Sequence, residues 1–416
     1  MNSSRILGDL GITDAKSADR LCPDTCEGRF ARSPLSSSRL LFYESQVLAS
    51  HVLCPSSRAF ACAQLDLDCA LRLLSGDLSL TLLELITLGG LAAFACVRPE
   101  EKVNVEGSWS LKELTAFLCT KAVVTRIYNT YLEAIFFSFP EFRTQPSRDH
   151  ALKNKKDLCG RDMMELQTII YHDRLTLLSQ FAFNVGLYYA IPGYYPAQAV
   201  VAPLHQRALR LVGNHYLLSF GMYWMHRALH VVPWLWDKIH SYHHWAKHPL
   251  SRNTYDDHWL DNLGNAVIGH FCAQVLLPLD RGSFWLSHLF RIFESLEKHS
   301  GVSCGFNLAH QMQRFLPFAQ MPHHHDWHHE GHKGSNYTFT SMGGLWDCVF
   351  GTRKVGRATE ILASQVTWMD RAQGKKAGRQ RSMLDHPVVV LTPVFSVAAL
   401  AFAKLHRENY SLSKRT

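Results

Sequence analysis

Long apolar runs separated by short polar connections set the plan of this chain. The candidate spans are Leu78–Val97, Phe117–Phe139, Leu175–Ala202 and Leu209–Trp224, each near or above the roughly 17 to 20 residues that carry a helix across a bilayer. Two shorter legs, Gly264–Leu279 and Ser283–Leu296, suit a re-entrant or shallow hairpin. A last apolar run, Val388–Ala403, follows a basic stretch from Arg371 to Arg381 and reads as a final span or as a helix lying in the interface. The pattern predicts an all-α integral membrane protein with about four transmembrane helices plus a short hairpin.

Charge places these elements. Arg148, Lys153, Lys155, Lys156 and Arg161 make a basic loop that the positive-inside tendency assigns to the cytosolic face. From there the chain crosses at 175–202, returns at 209–224, and the hairpin brings it back to the same side. Everything from His226 to the third histidine cluster described below is therefore expected to face the cytosol. Tyr223 and Trp224 fall where the returning helix meets the interface, a position that suits amphipathic rings. The expected division is a partly disordered leader at 1–77, transmembrane helices at 78–224, a histidine-rich domain at 225–355 with its membrane hairpin at 264–296, and a basic tail with an apolar segment at 356–416. The leader lacks the basic start and continuous apolar core of a secretory signal.

Composition narrows the function. The formal net charge is +8, but no recognition motif accompanies it, so nucleic acid is not an expected partner. The eleven cysteines include no C-x-x-C pair, which argues for reduced thiols rather than a disulfide framework.

Histidine changes the picture most. Seventeen of the 24 histidines fall between His226 and His332, in the clusters His226-Arg-Ala-Leu-His230, His240-Ser-Tyr-His243-His244 and His325-Asp-Trp-His328-His329. A neutral imidazole is a ligand for Zn, Fe, Cu or Ni. On a helix, residues i, i+3 and i+4 share a face, while adjacent residues diverge by about a hundred degrees and reach towards different ions. Two triples and a pair supply more nitrogens than one ion uses, which argues for two metals. His248, His323, His324 and His332 lie beside the clusters without fitting their spacing.

The order HRxLH, HxxHH, then HDWHHE, followed by Gly334-Ser-Asn-Tyr337 and Trp346-Asp-Cys-Val-Phe-Gly-Thr352, resembles the fatty acid hydroxylase/sterol desaturase superfamily of integral membrane di-iron oxygenases. Glu297-Lys-His-Ser-Gly301 and Tyr255-Asp-Asp-His-Trp-Leu-Asp261 are similar to elements of sterol C4-methyl oxidases, the methylsterol monooxygenases. The sequence departs from them at Ser219-Phe-Gly221, where an acidic residue is usual, and at Val302, where tyrosine is usual.

The resemblance implies ten metal ligands: His226, His230, His240, His243, His244, His258, His299, His325, His328 and His329. It implies two iron ions, O2 as co-substrate, and electrons from NAD(P)H through cytochrome b5 or a similar carrier. A sterol or other lipid substrate and an endoplasmic reticulum membrane with a cytosol-facing site complete the expectation. Asp261, Asp326, Glu330 and Asn336 are expected to orient the ligand rings, while Arg227 and Asp347 are expected to pin helices by ion pairing.

The leading expectation is C4-methyl oxidation of a sterol-like lipid. Sterol C5 desaturation and fatty acyl hydroxylation stand as alternatives within the superfamily. A zinc-binding membrane protein or transporter is an alternative of another class, but a transporter would place histidines along the middle of its spans.

Overall fold

The computed structural model describes residues 67–97, 109–139, 142–144, 163–191, 193–196, 202–246, 248–304, 307–313, 320–330, 336–340, 344–353 and 383–413. The basic loop at 148–161, the stretch 371–381, His332 and most of the leader lie outside them. The described residues are mostly helical and contain no strand beyond one isolated bridge, between Arg143 and Val302.

Four long helices come first: α1 (Leu67–Val97), α2 (Leu111–Ser138), α3 (Met163–Ala190) and α4 (Leu204–Val231). The start of α2 is fixed by a reciprocal cap. Ser110 Oγ accepts from Glu113 N–H at 3.2 Å, and Ser110 N–H donates to the Glu113 carboxylate at 2.8 Å, so two otherwise unpaired helix donors are satisfied at once. α3 ends earlier than its apolar run predicts. The chain leaves the helix at Ile191, just ahead of Pro192, because the residue before a proline is pushed out of helical conformation.

After α4 come α5 (Pro233–Lys238), a tight 3₁₀ turn at His240–Trp245, a second at Ser251–Tyr255, and α6 (Trp259–Asn262). A π turn at Leu263–Ile268 leads into α7 (Gly269–Leu276), and α8 (Arg281–Lys298) follows, so the two shorter apolar legs form two successive helices. Asp280 caps α8 by accepting from Ser283 N–H at 3.1 Å. Short helices α9 (Leu308–Gln313), α10 (Pro322–Glu330) and α11 (Leu345–Val349) precede α12 (Pro387–Ser413). α4 packs against α7, α8 and α12, and α2 against α1 and α8.

Two helices are long and apolar enough to cross a membrane, at Leu80–Val97 in α1 and Pro387–His406 in α12. Only 11% of each stretch is buried, so their apolar faces point away from the protein core. The sequence pattern predicted four such spans. The remaining three carry charge or fall short: Lys121, Arg126 and Glu133 interrupt α2, Arg210 and His215 interrupt α4, and α3 ends at Ala190.

The core between α2, α7 and α8 is aromatic. Trp109 stacks on Tyr195 at 5.1 Å and meets Phe117 and Phe284 edge-on at 5.2 and 5.6 Å, the offset arrangements that ring quadrupoles favour. This block anchors the start of α8, whose far end carries His299.

Candidate metal centre

α4 extends past Trp224 and carries His226 and His230 on one face, as their spacing of four predicts. The 3₁₀ turn presents His240, His243 and His244, α10 presents His325, His328 and His329, and His299 closes α8. Two residues after His299, Gly301 adopts φ +65, which only glycine accepts freely. A Cβ there would meet the Phe136 ring at 3.1 Å and the Pro249 carbonyl at 3.3 Å. The reversal allows Gly301 O to accept from Thr144 N–H at 2.8 Å.

Nine of the ten expected histidines come together, in two buried groups. The first is His226, His230, His240, His244 and His328; the second is His243, His299, His325 and His329; within each, the ligand nitrogens lie within 4.8 Å of one another. In the first, His226 Nε2 is 3.0 Å from His240 Nε2 and 3.1 Å from His328 Nε2, and His230 Nε2 is 3.1 Å from both His240 and His244 Nε2. In the second, His299 Nε2 is 3.0 Å from His243 Nε2 and 2.9 Å from His325 Nε2, which is 3.2 Å from His329 Nε2.

The opposite ring nitrogens decide what these contacts mean. His226, His328, His329 and His299 donate from Nδ1 to the carbonyls of Phe339, Tyr337, Ala246 and Ser295 at 2.8, 2.7, 3.0 and 2.7 Å. A carbonyl only accepts, so in each ring the proton sits on Nδ1 and Nε2 presents a lone pair. His240 Nδ1 donates to Asp261 at 2.6 Å, and His243 Nδ1 lies 2.6 Å from Asp257, which has the same effect. Lone pairs facing one another at about 3 Å repel unless a cation lies between them. The donor set therefore fits two imidazole-held cations.

Burial pushes His240, His244, His299, His325, His328 and His329 well below the usual imidazole value, and neighbouring positive groups push the same way. They are neutral, the form that binds metal. His243 differs: burial pulls it down, but Asp257 pulls it up and prevails.

The structure does not bring His258 to either group. Its ring packs on His172 with centroids 4.2 Å apart, and its Nδ1 accepts from Leu260 N–H at 3.2 Å, capping α6. His323 and His324 are buried and also outside both groups; His324 Nδ1 accepts from Met321 N–H at 3.0 Å.

Of the expected orienting residues, Asp261 holds His240, as described, and accepts from Asn265 at 2.6 Å. Asp326 lies 3.3 Å from His248 Nδ1. Glu330 ends α10, and Asn336 Oδ1 has no hydrogen-bond partner among the described residues.

Arg227 ion-pairs with Asp385 at 2.6 Å and donates to Tyr223 OH at 2.8 Å, tying α4 to the turn before α12. Asp347, also expected to ion-pair, has no ion-pair partner among the described residues. It accepts from the Phe339 and Thr340 N–H groups at 2.9 Å each and from Gln320 at 2.8 Å, and so fixes the strand of chain whose Phe339 carbonyl holds His226.

Sequence reasoning missed Asp257 and Glu297. Glu297, wholly buried, accepts from Tyr128 OH, from His310 Nδ1 and from the Ala309 and His310 N–H groups at 2.5, 2.5, 2.8 and 2.8 Å. Both acids stand inside the quoted motifs, within two residues of a histidine. That proximity was the available signal.

A cavity of about 640 Å³ opens onto the histidines, lined at that end by His226, His240, His243, His299 and His325. This is within the roughly 300–1,000 Å³ of small-molecule sites. Its walls continue between α1, α2, α3 and α8 to Leu118, Phe183 and Leu187.

Comparison with known proteins agrees with the motif resemblance. The fatty acid hydroxylase family model matches residues 212–352. A very-long-chain aldehyde decarbonylase of Oryza sativa is 27% identical over 221 residues, covering 53% of this chain and 68% of the rice protein. Methylsterol monooxygenase 1-1 of Arabidopsis thaliana is 26% identical over 244 residues, 59% of this chain and 77% of its own length. Methylsterol monooxygenase 2-2 of the same plant is 31% identical over 150 residues, 35% of this chain and 52% of its own length. No solved structure matches.

Proposed function

We propose that this chain is a membrane-bound non-haem di-iron monooxygenase that oxidises a sterol-like lipid, with a C4 methyl group as the position attacked. The reading is carried by one observation: nine buried imidazoles converge in two groups at the end of a lipid-sized cavity. The methylsterol monooxygenase relatives support the sterol substrate.

Bound iron would supply the redox chemistry that activates O2 towards an unactivated C–H bond. The protein's own part is positioning and exclusion. Asp261, Asp257 and four backbone carbonyls hold the rings so that Nε2 faces inward. Leu118, Phe183 and Leu187 give the cavity an apolar wall that an apolar substrate fills in place of water.

The expected setting is the endoplasmic reticulum membrane, with the site towards the cytosol and electrons arriving from NAD(P)H through cytochrome b5 or a similar carrier. The successive helices α7 and α8, which return His299 to the side of His226, favour one shared face. Glycosylation acceptors inserted near residues 155, 250 and 335 should all remain unmodified; modification of only one or two would break the shared-face reading.

The direct test is sterol profiling of cells that lack their own C4-methyl oxidase and express this chain. Loss of the accumulated 4,4-dimethylsterols supports the proposal. Unchanged accumulation with the protein present counts against it. The rice relative, a very-long-chain aldehyde decarbonylase, favours a second reading, action on a very-long-chain aldehyde, which the same cells test when fed such lipids.

A further inference from the structure

One wall of the cavity is a single face of α8. His288, Arg291, Ile292, Ser295, Lys298 and His299 all border it, at the three- and four-residue intervals of one helical stripe. From His288 to His299 the stripe runs about 16 Å, at roughly 1.5 Å per residue.

The two ends of the stripe differ in chemistry. At the His288 end the ring packs against Phe284 and Phe117 at 4.2 and 5.2 Å, inside the aromatic block that also holds Tyr194 and Trp109. At the His299 end the cavity meets Asp257, Asp261, Asn262 and Lys298. An amphipathic ligand fits with its hydrocarbon body towards the aromatic block and its polar group towards the histidines.

Each end also carries a lysine. Lys121 of α2 lies over the Phe117 ring at 5.5 Å, beside His288. Lys298 adjoins His299. Among the described residues neither Nζ has a hydrogen-bond acceptor or an ion-pair partner.

Around Lys298 the acids are already engaged. Asp257 faces His243 Nδ1 at 2.6 Å, Asp261 accepts from His240 and Asn265, each at 2.6 Å, and Glu294 accepts from Arg291 and Gln313 at 2.7 and 3.2 Å. A lysine nitrogen donates N–H whether or not it carries the extra proton. A half-buried donor that opens onto a cavity without an acceptor calls for a ligand oxygen.

We propose that Lys298 binds the oxygen of a hydroxylated lipid and holds it beside the carbon that is oxidised. The assignment rests on the oxygenase reading above and narrows its substrate class to lipids whose hydroxyl neighbours the reacting carbon. Anchoring at Lys121 instead would put the reacting carbon about 16 Å from the hydroxyl, which is chain oxidation.

The test uses detergent-purified, metal-loaded protein with two probes, a 4,4-dimethylsterol bearing a 3-hydroxyl and its 3-deoxy counterpart. Equilibrium binding and turnover are measured for the wild type, Lys298→Met, Lys298→Arg and Lys121→Met, with metal content measured in each. The wild type should bind the hydroxylated probe roughly tenfold or more tightly than the deoxy probe, the scale of leaving a buried donor without its acceptor. Lys298→Met should lose that preference at unchanged metal content, whereas Lys298→Arg and Lys121→Met should keep it.

Persistence of the preference in Lys298→Met, its loss in Lys121→Met instead, or equal weakening of both probes overturns the assignment. Lys298→Leu replaces the methionine variant if that variant does not accumulate. A wild type that shows the preference but turns over neither probe leaves Lys298 as the hydroxyl-binding group and removes both its place beside a reacting carbon and the C4-oxidation reading. Binding of neither probe overturns both.

Discussion

His243 and His244 are neighbours in sequence but serve different groups: His243 Nε2 points to His299 Nε2 at 3.0 Å, and His244 Nε2 to His230 Nε2 at 3.1 Å. Their rings stand at 88° to one another with centroids 5.7 Å apart. His328 and His329 repeat the relation at 84° and 5.9 Å, again one to each group. Each adjacent pair therefore holds the two groups at a fixed separation.

Removing one ring from either group should abolish turnover, because charge, geometry and redox balance change together. His328→Ala and His243→Ala are expected to leave no measurable product and to lower bound metal. His324→Ala should keep substantial activity, since its ring lies outside both groups and caps α10. The comparison is made at equal membrane abundance; equal loss in all three variants would contradict the grouping.

The carboxylates behind the rings should matter less than the rings and more than surface acids. Asp261→Asn keeps the shape but weakens acceptance from His240 Nδ1. The expected cost is roughly 10- to 100-fold in metal affinity or activity, read by chelator competition. An unchanged affinity would mean that Asp261 serves the fold alone.

The early end of α3 before Pro192 and the histidine spacing show what the sequence discloses and what it hides. Side-chain directions on a helix suffice to send adjacent histidines towards different partners, and apolar runs suffice to locate α1, α4 and the α7–α8 pair. The carbonyls of Phe339, Tyr337, Ala246 and Ser295 were illegible, because a backbone acceptor leaves no trace in residue identity. His258 looked like a ligand from its place in the Tyr255–Asp261 segment, yet its position at the start of α6 turns its Nδ1 to the backbone. Lys121, Arg126 and Arg210 interrupt runs that otherwise read as spans, and the cavity lined by Lys121 and Arg126 explains why two of these charges stand there.

Arg227 and Asp385 form a buried ion pair, with Arg227 wholly inaccessible. Arg227→Met leaves the carboxylate without its partner, which costs about 3–5 kcal/mol for pairs of this kind. Thermal melting in detergent should drop clearly, and the Arg227→Met, Asp385→Leu double variant should recover part of the loss. A melting point equal to the wild type's would show that the pair contributes nothing.

Metal-free protein should lose stability as the pH falls. Six of the site histidines outside the long helices have folded-state values well below the usual one. The unfolded chain takes up protons near pH 6.5 while the folded chain does not, so unfolding gains as the pH drops below about 6.5. His243, raised by Asp257, acts with the opposite sign, its contribution present at low pH and lost as pH rises; it is one ring against six. Melting temperatures of chelator-treated protein should therefore fall between about pH 7.5 and about pH 5.5. A flat profile would contradict neutral, buried imidazoles.

The measurement closest to the central claim is elemental analysis of the purified protein after expression in iron-replete cells. Two histidine groups of five and four nitrogens predict about two iron atoms per chain, falling towards one when His328 or His243 is replaced. Stoichiometric zinc with no iron, or a single metal per chain that His328→Ala and His243→Ala both remove completely, would contradict the di-iron account.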